Sequence, residues 1–500
     1  MNHFKIIIPL YNVEKWIKKC IRSIQLQTYD NYECYLIDDM STDNTKNIIE
    51  SLIQGDNRFT LIENKVKKFA LRNIYEAIQS SGSDPEDIIV TLDGDDFLAT
   101  KSVLDKLSRT YDDYRCLMTY GSYIEYPSKQ KGAFCRQIPQ NIIKSSTYRN
   151  FAWLSSHLRT FKRSLWDKIN VEDLQDEDHN FYRMTWDMAF MFPMLEMSGP
   201  LAVHISDILY VYNRENPIND DKVNHKLQIE TEHKIRGKEK YPQNFVSCNI
   251  LGPGEANSGI GNQLFCIANA LSYSKDSGKR LFLPQILNKK DVLKYKETFY
   301  TNLNIGLDAD IYDTCYTETD FSYTEIPELT GNVLLNGYFQ SDKYFAHNRK
   351  HILESFDIDT LQYKVTQEYG DYSDYISIHV RRGDYLHLKE YHGVLDIEYY
   401  KNSIQHFGDH QKYIVFSDDI EWCKRSLTFV GDVLYSNCKE DWEDLILMST
   451  CKAHIIANST FSWWSAWLSG NETIAPNIWF TLDDKQLSSK DLYPTKWRRM

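Results

Sequence analysis

Apolar positions at the start of the chain alternate between two periods. Phe4–Pro9 is a nearly unbroken apolar run and reads as a buried strand. Val13–Gln27 follows with Val13, Trp16, Ile17, Cys20, Ile21 and Ile24 on one helical stripe. Glu33–Ile37 reads as the next strand, and Asn44–Ile53 as a helix behind the start signals Ser41, Thr42 and Asp43. Phe59–Ile62 and Ile88–Leu92 continue the pattern as strands. This βαβα order predicts an α/β fold with a mostly parallel sheet and ligands at the carboxyl ends of its strands.

The pattern lapses between Asn219 and Phe245, where polar and charged residues and Pro242 predominate, and this stretch reads as a linker. It resumes with a strand at Val246–Leu251, a Gly-rich loop and a helix over Asn262–Ser274. Further strands are predicted at Val333–Leu335, Tyr375–Val380, Lys412–Phe416 and Ala453–Ala457. The expected domains are residues 1–240 and 246–500, since 500 residues exceed what one ordinary core supports. A composition of 42% hydrophobic, 25% charged and 14% aromatic residues is globular. The net charge of −13 argues against a nucleic-acid or anionic-membrane partner, so an anionic substrate has to be caught by local arginines or a metal. The ten cysteines form no CxxC pair and read as buried thiols. With no signal-like start and no apolar run near about 18 residues, a soluble, cytoplasmic protein without a transmembrane segment is expected.

Acidic clusters follow two strands of the first half. In Asp38-Asp39-Met40-Ser41-Thr42-Asp43, a carboxylate such as Asp39 can accept from a uracil N3–H or a ribose hydroxyl. In Asp93-Gly94-Asp95-Asp96, two carboxylates one residue apart, Asp93 and Asp95, can share a hard divalent cation that bridges a pyrophosphate. Together with Ile6-Ile7-Ile8-Pro9-Leu10-Tyr11-Asn12 and Arg72-Asn73, these segments resemble glycosyltransferase family 2 over residues 4 to 100. The resemblance implies a GT-A (nucleotide-diphospho-sugar transferase) fold, a UDP-linked donor, Mg²⁺ or Mn²⁺ on Asp93 and Asp95, and inversion at the anomeric carbon. Pro9, Tyr11, Asp39, Arg72 and Asp93 would lie at the nucleotide sugar. The catalytic base of such enzymes is usually the Asp of a Glu-Asp pair opening a helix. Asp187 matches it here, with Trp186 where the Glu is usual; Asp178 and Glu177 are the alternatives. His157 and Arg159 precede it and either line the acceptor side or are surface residues.

In the second half, Ile376–Tyr385 ends a buried strand with Arg381 and Arg382, and a guanidinium can grip a diphosphate bidentately and stabilise it as it leaves. A structural pairing of Arg381 with Asp384 is the plainer alternative. Ser258-Gly259-Ile260-Gly261-Asn262 opens a helix, where glycines let the backbone approach a phosphate or sugar. Gly337–Ser341, Phe416-Ser417-Asp418-Asp419 and Asn458-Ser459-Thr460-Phe461-Ser462-Trp463-Trp464 each follow another strand. In this order the segments resemble glycosyltransferase family 11, the α-1,2-fucosyltransferases, over residues 247 to 480. The resemblance implies a GT-B-type pair of Rossmann-like lobes, GDP-fucose, no essential metal, and transfer to O2 of a terminal galactose. Arg381 would hold the diphosphate, and His379 with Asp418 or Asp419 the guanosine. Gly259, Gly261, Asn262, Arg382, Asp384, Ser459, Thr460 and Ser462 would complete the donor site, while Trp463, Trp464 and Trp467 pack the core. The expectation is a bifunctional glycosyltransferase acting on an oligosaccharide or glycoconjugate. Its rival is a fucosyltransferase carrying an inactive glycan- or nucleotide-binding module.

Overall fold

The structure, a computed structural model, describes residues 2–217, 222, 224–253, 258–283, 290–305, 311–387, 392–481 and 489–500. The chain divides into two compact units: Met1–Gln243 with Asn304–Ile311, and Asn244–Leu303 with Tyr312–Met500.

The first unit is built on an eight-stranded sheet. Its strands are β1 (Phe4–Leu10), β2 (Tyr32–Asp38), β3 (Phe59–Glu63), β4 (Ile88–Thr91), β5 (Phe97–Leu98), β6 (Met118–Tyr126), β7 (Arg159–Lys162) and β8 (Ala202–Asn213), in the order β3-β2-β1-β4-β7-β6-β8-β5. The main helices are α1 (Ile17–Gln25), α2 (Thr45–Ile53), α3 (Phe69–Ser80), α4 (Val103–Tyr114), α5 (Trp186–Ser198) and α6 (His225–Arg236). Strands β1 to β4 pair parallel, as the βαβα pattern predicts. Beyond β4 the sheet is mixed, because β7 runs antiparallel to both β4 and β6. The stripe read on α1 is real: Ile17, Cys20, Ile21 and Ile24 are buried and join β1, β2 and β4 in one core.

Helix α6 corrects the linker expectation. Residues 219–221 and 223 lie outside the described residues, but His225–Arg236 is a helix of twelve residues. Asn224 caps it by accepting from the Leu227 N–H, and Glu232–Arg236 braces it at 2.8 Å. Only Thr231 and Ile235 are buried in it, too few for a readable apolar stripe. It is held by polar contacts instead: Arg149 donates to the Ile235 carbonyl and Thr185 to that of Gln228. Arg149 is itself buried and paired with Glu196 of α5.

The second unit holds two parallel sheets. The smaller, in the order β10-β9-β12-β11, comprises β9 (Phe245–Cys248), β10 (Arg280–Leu281), β11 (Thr314–Thr317) and β12 (Val333–Asn336). The larger, in the order β15-β14-β13-β16-β17-β18, comprises β13 (Tyr375–Val380), β14 (Lys412–Ser417), β15 (Asp432–Tyr435), β16 (Ala453–Ile455), β17 (Glu472–Ala475) and β18 (Arg498–Arg499). Its main helices are α7 (Ile260–Ser277), α8 (Arg349–Ser355), α9 (Ile358–Tyr369), α10 (Ile397–Phe407), α11 (Ile420–Ser426), α12 (Asp441–Ser449) and α13 (Thr460–Ser469). Trp463, Trp464 and Trp467 of α13 are buried, and the first two pack on Phe265 of α7 at 4.4 and 5.2 Å between ring centres. The tryptophans are therefore core. Cys315 is exposed and Cys438 half-buried; the other cysteines are buried, and all are free thiols. Among the described residues, no helix is long and apolar enough to cross a membrane.

Candidate active sites

The carboxyl ends of β1, β2 and β4 open into a cavity of about 1070 Å³. Pro9 and Tyr11 come from the end of β1, Asp39 follows β2, and Asp93 to Asp96 follow β4. Asp39 accepts from the backbone N–H groups of Lys68 and Phe69 and from the Asn64 amide, at 2.8 to 2.9 Å. Burial opposes ionisation, but these donors prevail and hold its carboxyl below the usual range. Lys67 lies 3.7 Å from the same carboxylate, with its ammonium over the Tyr11 ring. Arg72, expected at the nucleotide, is outside the cavity. Its side chain is half exposed and turns along α3 to Glu76 at 2.8 Å, leaving the neighbouring Asn73 to line the wall.

The acidic loop is pinned from below. Asp96 is buried, accepting from the Tyr210 hydroxyl at 2.6 Å and the Asn213 N–H at 2.7 Å. A Cβ on Gly94 would stand 2.6 Å from that of Leu10, so the loop can cross the end of β1 only with glycine there. Asp93 and Asp95 face the cavity, and Asp95 accepts from Asn216 at 2.7 Å. Burial, reinforced by Asp95 and Asp187 and opposed by Arg159, pushes the Asp93 carboxyl up to about 6. Among the described residues, no group of three or more His, Cys, Asp or Glu is placed to hold an ion. Two neighbouring carboxylates whose burial disfavours their charge nevertheless suit Mg²⁺ or Mn²⁺, which commonly binds through one or two carboxylates with substrate phosphates completing the shell. The donor set fits the implied cation.

Asp187, in the first turn of α5, lines the same cavity. Its Oδ2 accepts from Arg159 Nη1 at 2.7 Å and its Oδ1 from the Met188 N–H at 3.0 Å. Glu177 and Asp178 are exposed and stand outside the lining. His157 and Arg159 are buried wall residues, not surface ones. Burial and the Arg159 charge hold the His157 ring well below its ordinary pKa, so it is neutral. Helix α6 also lines this cavity with Leu227, Gln228 and Glu232, which the linker reading had missed.

The second unit has its own cavity of about 540 Å³, where the starts of α7 and α13 meet. Gly259, Gly261, Asn262, His379, Arg381, Asp384, Asp418, Ser459 and Thr460 all line it. A Cβ on Gly261 would stand 2.5 Å from the Thr460 carbonyl carbon, so glycine is what lets the two helix starts converge. The positive ends of two helices converging there favour an anion. The Arg381 guanidinium reaches Asp384 at 2.9 Å and Asp418 at 3.3 Å, so the structural pairing exists and lies within the cavity. His379 bonds to Ser462 Oγ at 2.8 Å, and burial with the Arg381 charge takes its pKa down to about 3.

Three expected donor residues have other tasks. Ser462 is fully buried and orients His379 instead of reaching the cavity. Asp419 caps α11 by accepting from the Trp422 N–H. Arg382 stacks on the Trp422 ring at 3.9 Å and lies 3.4 Å from Asp419. In their place stand residues the sequence reading missed, Asp441 and Asp444 of α12 and the aromatic Phe321, Trp479 and Phe480, beside Tyr338 of the Gly337–Ser341 segment. The acidic start of α12 was a visible signal, but it reads equally as a helix cap, and Glu440 and Glu443 do form a capping box there.

Residues 5–171 match the family model Glycosyl transferase family 2, and residues 279–500 match Glycosyl transferase family 11. The chain is 28% identical to an alpha-1,2-colitosyltransferase of Escherichia coli over 284 residues, which is 48% of this chain and 96% of that protein. It is 27% identical to galactoside alpha-(1,2)-fucosyltransferase 1 of Pan troglodytes over 269 residues, 49% of this chain and 72% of that one. Among solved structures, S. aureus TarS 1-349 in complex with UDP-GlcNAc matches with a TM-score of 0.34 and 13% identity, covering 55% of this chain and 73% of that one.

Proposed function

We propose, for a chain that is a glycosyltransferase of family 2 over residues 5–171 and of family 11 over residues 279–500, that its two units catalyse two different glycosyl transfers. The first unit, a GT-A domain, moves a hexose from a UDP-linked donor with inversion. The second, its two parallel sheets serving as the Rossmann-like lobes of a GT-B arrangement, moves L-fucose from GDP-fucose to O2 of a terminal galactose. The observation that carries this reading is that each unit has its own cavity with its own means of meeting a diphosphate: Asp93 and Asp95 in one, Arg381 between two helix starts in the other.

In the first cavity, Asp187 takes the proton of the acceptor hydroxyl as its oxygen bonds to the anomeric carbon. The bond from that carbon to the diphosphate oxygen breaks, and its electron pair leaves with UDP. Asp93 and Asp95 would hold a divalent cation, which would supply charge neutralisation for the departing diphosphate. Asp39, held ionised, accepts from the uridine, and Lys67 lies beside it as a cation for phosphate.

In the second cavity, Arg381 exchanges its carboxylate partners for the diphosphate, with the N–H groups of α7 and α13 behind it. The guanine edge offers N1–H and N2–H₂, which a carboxylate accepts. Asp441 fills that role: Lys294 and Tyr295 hold its Oδ2, while its Oδ1 is buried with no hydrogen-bond partner. Neutral His379 adds a polar contact on the donor side. The relatives named for colitose and fucose transfer support a deoxy-sugar donor for this unit.

The test is a donor screen of the full chain, Asp95→Ala and Arg381→Ala against UDP- and GDP-sugars with and without Mn²⁺. Metal-dependent UDP-hexose turnover should fall in Asp95→Ala alone, and GDP-fucose turnover in Arg381→Ala alone, each by about 100-fold or more. If Asp95→Ala changes turnover of no donor, the first unit is a binding module on a fucosyltransferase.

A further inference from the structure

Arg159 opens β7, directly across the ladder from Thr91, two residues before Asp93. That register places a long cationic side chain at the end of the sheet beside the acidic loop. The guanidinium is buried, with only 2% of the side chain exposed. Its Nη1 donates to Asp187 Oδ2 at 2.7 Å, while Nη2 lies 3.9 Å from Asp93 Oδ2. The Trp186 indole stands 5.2 Å from Cζ and binds the cation through its ring. A carboxylate at position 186 would take one of the N–H donors; an indole leaves them for Asp187 and Asp93. The Arg159 Nε, buried and without a hydrogen-bond partner, is a further donor at this junction.

We infer that Arg159 is a positioning residue of the first site: it ties Asp187 to the acidic loop, fixing the carboxylate that takes the acceptor proton relative to the one that holds the cation. The inference rests on the reading of this unit as a metal-dependent transferase. Burying a guanidinium is costly unless it is well paired, so a charge retained here needs its two carboxylates. The planar fork is what spans them; a lysine at 159 supplies one point charge and cannot hold both. With Oδ2 held by Arg159 and Oδ1 by the Met188 N–H, the Asp187 carboxylate keeps one orientation before any substrate arrives.

The experiment compares the full-length wild type, Arg159→Ala, Arg159→Lys and Trp186→Glu, using UDP-galactose and Mn²⁺. UDP and Mn²⁺ binding are measured calorimetrically, and turnover with and without added guanidinium chloride. Arg159→Ala should lower kcat about 100-fold while UDP affinity stays within about threefold. Mn²⁺ affinity should hold or rise, because a competing cation beside Asp93 has gone. Added guanidinium should restore at least about tenfold of the loss, and Arg159→Lys should stay impaired. Trp186→Glu, which keeps the guanidinium but gives it a rival carboxylate, should lower kcat about tenfold with UDP binding intact.

A kcat within threefold of wild type in Arg159→Ala overturns the inference, as does a loss that guanidinium does not restore. If Arg159→Ala fails to fold, wild-type turnover in Trp186→Glu overturns it. A wild type that neither binds UDP with Mn²⁺ nor turns over UDP-galactose overturns the transferase reading, and the positioning role with it. An active wild type with unaffected variants overturns the positioning role alone.

Discussion

Gly259 and Gly261 lie two residues apart at the start of α7 but carry different constraints. At Gly259 an added Cβ would meet nothing within 4 Å, whereas at Gly261 it would press into the Thr460 backbone. Gly261→Ala should therefore weaken GDP binding at least tenfold and suppress turnover of the GDP-sugar, while Gly259→Ala changes either by less than about threefold; titration calorimetry with GDP decides it. This scale is also where sequence reading worked least evenly. Asp93, Asp95, Asp187 and Arg381 all reach a cavity. Arg72, Arg382, Asp419 and Ser462, read from the same motifs, turn to Glu76, Trp422, a helix end and His379. A motif gives the side chain's chemistry and the strand end it follows; its rotamer and partner come from neighbours distant in the chain.

At the scale of elements, β13 and β16 each bury a histidine in the larger sheet of the second unit, His379 and His454. His454 is fully buried between Ser377 and Ser469, and burial takes its pKa down to about 3, as for His379. An unfolded chain protonates these rings near pH 6.5, the folded one only near 3. Between those values the unfolded state binds more protons, so the stability they contribute above pH 6.5 is lost as pH falls, by up to about 1.4 kcal/mol per pH unit for each ring. His454→Gln, which keeps hydrogen-bonding groups for both serines, should flatten that acid limb between pH 6 and 4. Above pH 7 the slope should not change; urea unfolding at a series of pH values measures both. Glu318 behaves oppositely. Burial lifts its carboxyl to about 7 despite the N–H groups of Tyr338 and Phe339, so stability present below about pH 4.5 is lost as pH rises toward 7. Glu318→Gln should accordingly raise the unfolding midpoint at pH 8 and leave it nearly unchanged at pH 4. Helix α6 marks the limit of element reading: with Thr231 and Ile235 as its buried residues, its place is set by Arg149, Glu196 and Thr185 rather than by hydropathy.

At the scale of the molecule, two units with two cavities should respond separately to ligands. GDP should raise the melting of the second unit alone, and UDP with Mn²⁺ that of the first. At 100 times Kd each ligand contributes about 2.7 kcal/mol, enough to separate overlapping transitions in differential scanning calorimetry. A single transition moved equally by either nucleotide would contradict separate sites. The sequence left β6, β7 and β8, which line the first cavity, unread, but the α/β class, the strands β1 to β4, β9, β12, β13, β14 and β16, and the likeness to both families are legible in it. Those rest on local periodicity and on short motifs whose chemistry requires particular side chains. It took the folded chain to show that the supposed linker is a wall of the first cavity, that Asp441 and Asp444 reach the second, and that Arg159 stands between Asp93 and Asp187. Each of those facts joins residues far apart in the chain, and the contact that makes them functional has no local pattern to betray it.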